Sequence, residues 1–252
     1  YLDRFLVMER CEIEELTDTW AHISVQGPQS GYLLGAVLGA DVPSQAEWEV
    51  RCYPLTDAEV VVARVFRCGE DGFDLFLPAP LAAPLCAELS QPRPAFALHS
   101  IGWEALNVRR VEAGIPWWGF ELSPAIVPLE ARLDHAVCRS KGCYVGQEII
   151  ARIDARGHVN NLLGGVLVES DQLPPHNAEI YAGGKRVGRT CSAVRSVRLG
   201  RNIALAYFRR ELHRPGEILE ALTPSGPLPL VVASLPFVPD DSPQFAPPAS
   251  GG

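Results

Sequence analysis

Lys141-Gly142-Cys143-Tyr144-Val145-Gly146-Gln147-Glu148 stands where the texture of this chain changes. Before it, helical and strand periodicities alternate; after it, from Asn161, the chain reads as short strands alone. The octapeptide sets one thiol between two glycines, directly after one of only two lysines in 252 residues. Glycine admits positive φ and close approach by another group. Gln147 to Arg152 reads as the opening of a helix after Gly146, with Glu148 and Arg152 spaced to pair at i,i+4. A cationic neighbour and the positive end of a helix both favour thiolate. Cys143 is therefore a candidate nucleophile or soft-metal ligand, with Lys141 supplying local charge. The other reading is a tight turn whose Cys is a small buried hydrophobe, and the residues alone leave both open.

Working outward, 47% hydrophobic and 21% charged residues describe an ordinary globular chain with ample core. No run approaches the ~20 apolar residues of a membrane span, and no signal segment opens the chain. Seven scattered cysteines, an odd number, predict a reducing cytoplasm rather than a disulfide scaffold. Cys138 and Cys143 are five apart, with no C-x-x-C or His partner at metal spacing, so no bound metal is expected. Of the net charge of −8, residues 1–150 carry 11 basic and 21 acidic side chains and residues 151–252 carry 11 and 9. Two regions of different electrostatic character follow.

Trp20 to Val25 alternates as a half-buried strand, and Gly27-Pro28 opens a helix to about Leu38 with Gly39 as its stop. Glu47 to Tyr53 and Glu59 to Arg67 read as strands, and Asp71-Gly72 turns the second into Phe73–Leu77 as a hairpin. Residues 80–90 form a helix, and Ser100 caps another that runs to Ala113 with Gly114 as its αL stop. Strand–helix–strand units of this kind predict an α+β, ferredoxin-like portion. Leu162–Val168, Glu179–Tyr181, Arg186–Val194, Asn202–Phe208, Ile218–Leu222 and Leu228–Val232 are short strands between glycine turns, expected to close a small barrel. The predicted divisions are residues 1–158, 159–235 and a Pro-rich disordered tail, 236–252.

The octapeptide, followed by Ala151-Arg152 and Gly157, resembles the signature of the folate-binding YgfZ family. Those proteins share a fold with the glycine cleavage T-protein, a folate-dependent aminomethyltransferase. The resemblance extends upstream to Arg110-Val111-Glu112-Ala113-Gly114-Ile115-Pro116, Gly119–Leu122 and Pro128-Leu129-Glu130. Downstream it reaches Val187–Ser192 and Ile203–Tyr207, so that it covers most of residues 1–235. It implies a T-protein-like folate-binding fold, a ferredoxin-like α/β portion followed by a small C-terminal β-barrel. It further implies tetrahydrofolate as cofactor and a cytoplasmic role supporting iron–sulfur cluster assembly or repair and tRNA modification. Iron–sulfur enzymes would be clients, with tRNA a possible contact; the alternatives are an aminomethyltransferase and a non-enzymatic scaffold. In this family a "YLDRF"-like helix follows a substantial N-terminal portion, so residues are expected ahead of Tyr1.

The resemblance places a pterin-binding glutamate at Glu112, with Arg110 of the same segment as a further cofactor-binding residue, and a pocket-lining aromatic at Trp103. A carboxylate accepts both donors of an amino-pyrimidinone edge. From the residues alone, Arg109 and Glu112 pair at i,i+3 on a solvated helix face, and Trp103 is core. Arg152 could hold the glutamate tail of a folate or pair with a neighbouring acid. Arg186, Arg189, Arg195, Arg198 and Arg201 form either a basic patch or a solvated barrel face.

Overall fold

A computed structural model of the chain describes Leu6 and residues 10–238, arranged as two compact units. The first comprises the residues through Phe66 together with Glu70–Ser100, and the second comprises Arg67–Gly69 together with the residues from Ile101 onward.

The first unit is one four-stranded sheet with two helices. Strands β1 (Trp20–Gln26), β2 (Val50–Leu55), β3 (Ala58–Arg64) and β4 (Gly72–Pro78) lie in the order β1-β4-β3-β2, with every neighbouring pair antiparallel. Helices α1 (Ser30–Leu38) and α2 (Ala82–Leu89) contribute Leu33, Leu34, Leu85 and Leu89 to a core completed by Val60, Val62, Phe73, Leu75 and Leu77. The α+β class is as the alternation in the sequence predicts. The strand order is not that of a split βαβ unit, because the connection through α1 crosses from one sheet edge to the other.

The predicted tight turn at Asp71-Gly72 is corrected. β3 and β4 are joined by a longer excursion over residues 65–71, and Asp71 closes it with its side chain. Its Oδ1 accepts from Arg64 Nε at 2.9 Å and from Gly72 N at 3.0 Å. Asp-Gly is here a side-chain cap of a loop rather than the centre of a two-residue turn.

The second unit holds α3 (Trp103–Ala113), α4 (Gln147–Arg156) and a closed six-stranded barrel. The strands are β5 (Asn161–Val168), β6 (Glu179–Ala182), β7 (Lys185–Ser196), β8 (Arg201–Arg209), β9 (Ile218–Thr223) and β10 (Gly226–Ala233), in the order β10-β5-β8-β7-β6-β9. Period-2 alternation gives β8 two buried faces. Ala204, Ala206 and Phe208 fill one cluster with Ile180, Leu219 and Leu230. Ile203, Leu205 and Tyr207 fill another with Val111 of α3. A strand buried on both faces reads as an unbroken apolar run, which is how Ile203–Phe208 reads. The change of texture at Asn161 marks the start of the barrel. It is not a division between compact units, because α3 packs on β7 and β8.

Two further expectations change. Ser100 does not cap α3: the N-cap is Gly102, with no side-chain bond. Residues 236–238 are not tail. Phe237 N donates to Glu112 O at 2.8 Å, and the Phe237 ring covers Gly165, where an added Cβ would lie 2.7 Å from it. The rest of the predicted tail, and all of Tyr1–Leu6 except Leu6, lie outside the described residues.

Gly188 on β7 faces Phe208 of β8 so closely that a Cβ would stand 2.1 Å from Tyr207 O. Gly188→Ala is expected to lower stability by about 1–3 kcal/mol through overpacking, measured by chemical denaturation. His213 stacks on Phe208 at 3.9 Å, and its Nε2 donates to Phe208 O at 3.3 Å. Burial holds its pKa below the ordinary 6.5. The unfolded chain therefore binds more protons at this site, and stability should fall as pH drops below about 6.5, levelling once the folded pKa is passed. His213→Phe should flatten that part of the pH–stability curve.

Candidate functional site

The inner face of α3 carries two charged side chains to full burial. Arg110 has no exposed surface, and its guanidinium is satisfied from several sides. Nε donates to Asn107 Oδ1 at 2.9 Å, Nη1 to Ile115 O at 3.1 Å and to Glu121 Oε2 at 2.5 Å, and Nη2 to Ser192 Oγ at 2.5 Å. The Trp117 and Phe120 rings lie 4.9 and 5.3 Å from its Cζ. Glu121, equally buried, also accepts from Trp117 N at 3.0 Å and from Ser192 N at 3.1 Å. The last bond exists because β7 bulges between Thr190 and Ala193. A bulge leaves a residue out of the ladder, and here the free N–H of Ser192 turns to a carboxylate.

Glu112, 2% exposed, faces the end of β7. Oε1 accepts from Ser196 Oγ at 2.6 Å and Oε2 from Arg109 Nη1 at 2.9 Å. The predicted Arg109–Glu112 pair thus forms, but on a buried face rather than a solvated one. A carboxylate taken out of water needs such partners to offset its lost hydration. Trp103 is 75% exposed, so it is not core. Its ring stands edge-on to Trp117 at 5.4 Å, and Trp118 and Phe120 are also exposed. The start of α3 therefore presents an aromatic surface within the second unit.

Lys141–Gly146 of the octapeptide lie in a largely exposed loop ahead of α4, and Gln147 and Glu148 open the helix itself. Gly146 adopts φ 91° as the N-cap, the positive φ that glycine supplies at low cost. Tyr144 N donates to Gln147 Oε1 at 3.2 Å, and Arg139 grips Asp154 with two bonds of 2.9 and 3.1 Å. Cys143 is exposed rather than buried, with no hydrogen-bond partner among the described residues. Lys141 lies 5.0 Å from the centre of the Tyr144 ring. The thiol whose pKa is lowered is Cys138, through Ser140 first and then the Ser140 and Lys141 backbone and the Lys141 charge. Sequence reasoning noted Cys138 only as a spacing; Ser140 two residues on was the available signal.

Other residues also separate from their expectations. Arg152 is exposed on α4, and the expected Glu148–Arg152 pair does not form. Arg110 is committed to its buried partners and is not free to hold a ligand. Of the remaining cysteines, Cys52 and Cys86 are exposed, although they lie in apolar segments, whereas Cys68 and Cys191 are buried. The barrel arginines are largely tied locally: Arg186 to Glu179 at 3.1 Å, Arg189 to Asn177 at 2.7 Å, and Arg201 to Glu169. Among the described residues no group of three or more His, Cys, Asp and Glu is placed to hold a metal, and no helix is long and apolar enough to cross a membrane.

The chain matches two family profiles: the GCVT N-terminal domain over residues 2–141 and the glycine cleavage T-protein C-terminal barrel domain over residues 161–239. An aminomethyltransferase of Rubrobacter xylanophilus is 33% identical over 227 residues, covering 90% of this chain and 59% of the relative. One of Saccharopolyspora erythraea is 30% identical over 226 residues, covering 89% and 61%. The crystal structure of glycine cleavage system aminomethyltransferase T from Bartonella henselae superposes with a TM-score of 0.75 at 23% identity, over 87% of this chain and 60% of that one. The chain thus spans about three fifths of the length of these relatives.

Removing one partner of a buried ion pair strands the other. Arg110→Met alone should therefore cost about 3–5 kcal/mol in urea denaturation, and Arg110→Met with Glu121→Leu should recover much of that loss. In peptide mapping after brief iodoacetamide treatment at pH 7, Cys138 should label ahead of Cys143. Cys191, pushed up to about 12 by burial, should label last.

Proposed function

The chain belongs to the glycine cleavage T-protein family, and from that premise we propose that it binds tetrahydrofolate and serves folate-dependent aminomethyl transfer. The observation that carries the reading is the Glu112 carboxylate, buried on α3 and held by a neutral donor on one oxygen and a charged one on the other. The two are not equivalent. Ser196 is fully buried, whereas the Arg109 side chain keeps 26% of its surface. An amino-pyrimidinone edge offers two N–H donors, which could displace Arg109 while Ser196 continues to orient the carboxylate. Trp103 would add a flat apolar surface for a conjugated ring. The aminomethyltransferase relatives align over nine tenths of this chain, which supports the same reading.

A second reading rests on the octapeptide, most of which lies between the two matched segments. It resembles the YgfZ signature, and Cys143 within it is exposed. Under that reading the folate protein supports iron–sulfur enzymes, and through them tRNA modification, with Cys143 as the working thiol, Lys141 beside it and Arg152 at the folate tail.

Calorimetric titration of the complete protein with tetrahydrofolate, run beside an aminomethyl-transfer assay, separates these. Binding with turnover is the expected result. Binding without turnover, together with a Cys143→Ala variant that no longer supports iron–sulfur enzymes in cells, selects the second. Absence of binding removes both. Glu112→Gln should weaken binding thirty- to hundred-fold, which corresponds to about 2–3 kcal/mol for a charge-assisted contact; unchanged affinity would remove Glu112 from the site.

A further inference from the structure

Tyr207 of β8 is 4% exposed, and its hydroxyl is buried with no hydrogen-bond partner among the described residues. Buried hydroxyls nearly always have a partner, so an orphan marks a place where one is missing. Tyr207 lines a cleft of about 300 Å³ on the barrel, together with Glu130, Asn161, Arg186, Arg189 and Arg209.

The cleft is rich in cationic donors. Arg189 lies over the Tyr207 ring at 5.2 Å and makes its bonds through Nη1 alone, to Asn177 Oδ1 at 2.7 Å and Cys191 Sγ at 3.6 Å. Its Nε and Nη2 have no partner among the described residues. Arg209, exposed at the end of β8, pairs with no carboxylate among them. Arg186 is paired with Glu179, and Glu130 already accepts from Val127 N at 3.3 Å. With Arg186 offset by Glu179, the guanidiniums of Arg189 and Arg209 remain against one lining carboxylate, an excess of positive charge that a neutral water would leave unbalanced. Burial raises the pKa of the Tyr207 phenol, so it stays protonated and presents a donor.

We propose that this cleft is an oxyanion site that takes a carboxylate or phosphate group of a small ligand, with the Tyr207 hydroxyl and the Arg189 and Arg209 guanidiniums as its donors. Planar guanidinium forks suit either group. A cleft of this volume lies at the lower limit for small-molecule sites, so the ligand is small. The assignment uses none of the residues assigned to folate and stands or falls apart from that reading.

The test is calorimetry on the complete protein in Tris chloride, with inorganic phosphate in one arm and glutarate in the other. One-site saturable binding of at least one probe is expected, and the tighter probe identifies the group as phosphate or carboxylate. Tyr207→Phe keeps the ring, removes the orphan hydroxyl and should melt no lower than the parent. It should weaken binding about tenfold, as should Arg209→Gln. If neither probe saturates by about 10 mM, the cleft is not an oxyanion site. If Tyr207→Phe binds as tightly as the parent, the hydroxyl's missing partner is water and the proposal fails. Should Tyr207→Phe not fold, Arg209→Gln decides alone: undiminished affinity overturns the assignment.

Discussion

A fully buried guanidinium–carboxylate pair, Arg110 with Glu121, sets the terms for the second unit. Burying two charges costs several kcal/mol for each ion, and their attraction offsets this only when the remaining donors and lone pairs are also met. That requirement reaches well beyond the pair. It fixes the segment after α3, because Ile115 O and Trp117 N must both point inward. It fixes the barrel surface too, because Ser192 must offer an oxygen and an N–H together. A regular β7 could not do this, since the Ser192 N–H would be spent in the ladder. The bulge is thus a condition for burying the pair rather than an irregularity of the strand.

The same strand closes the other half of the arrangement. Ser196, four residues beyond Ser192, holds Glu112 and in turn accepts from Leu199 N at 3.0 Å. One helix and one strand therefore share two separate polar contacts, one cation-centred and one anion-centred, either side of an apolar seam that includes Val111 and Val194. The first is saturated and holds structure. The second keeps one replaceable partner, Arg109, and this difference in saturation is what makes Glu112 rather than Arg110 the candidate for ligand chemistry.

How much of this was legible in the sequence depended on range. The barrel could be read because its signals are local: two-residue periodicity, glycine-marked turns and the continuous run of β8. Helix α3 could be placed from its own pattern and from Gly114, which adopts φ 77° at its C-cap. The partners of its charges could not be read, because Ser192 and Ser196 lie 82 and 84 residues from Arg110 and Glu112. Neither serine has a local feature that marks it. The lowered pKa of Cys138 was passed over for a different reason. Charge and a helix end draw attention to Cys143, whereas the shift at Cys138 comes first from hydrogen bonding to Ser140 two residues on. Asp71-Gly72 misled for a related reason: the dipeptide favours a turn, but an aspartate that can reach Arg64 caps a longer loop instead.

The peptide carbonyl of Glu112 is spoken for as well, by the amide of Phe237, just before the described chain ends. Side-chain donors orient the carboxylate; this main-chain bond anchors the backbone from which it projects. The segment around Phe237 therefore acts as a mechanical stay on the candidate ligand residue, seated in a notch that Gly165 leaves empty. Fraying at that stay would relax the peptide plane of Glu112 without touching its side chain, so deuterium uptake at the Phe237 amide is a direct gauge of how rigidly the carboxylate is presented.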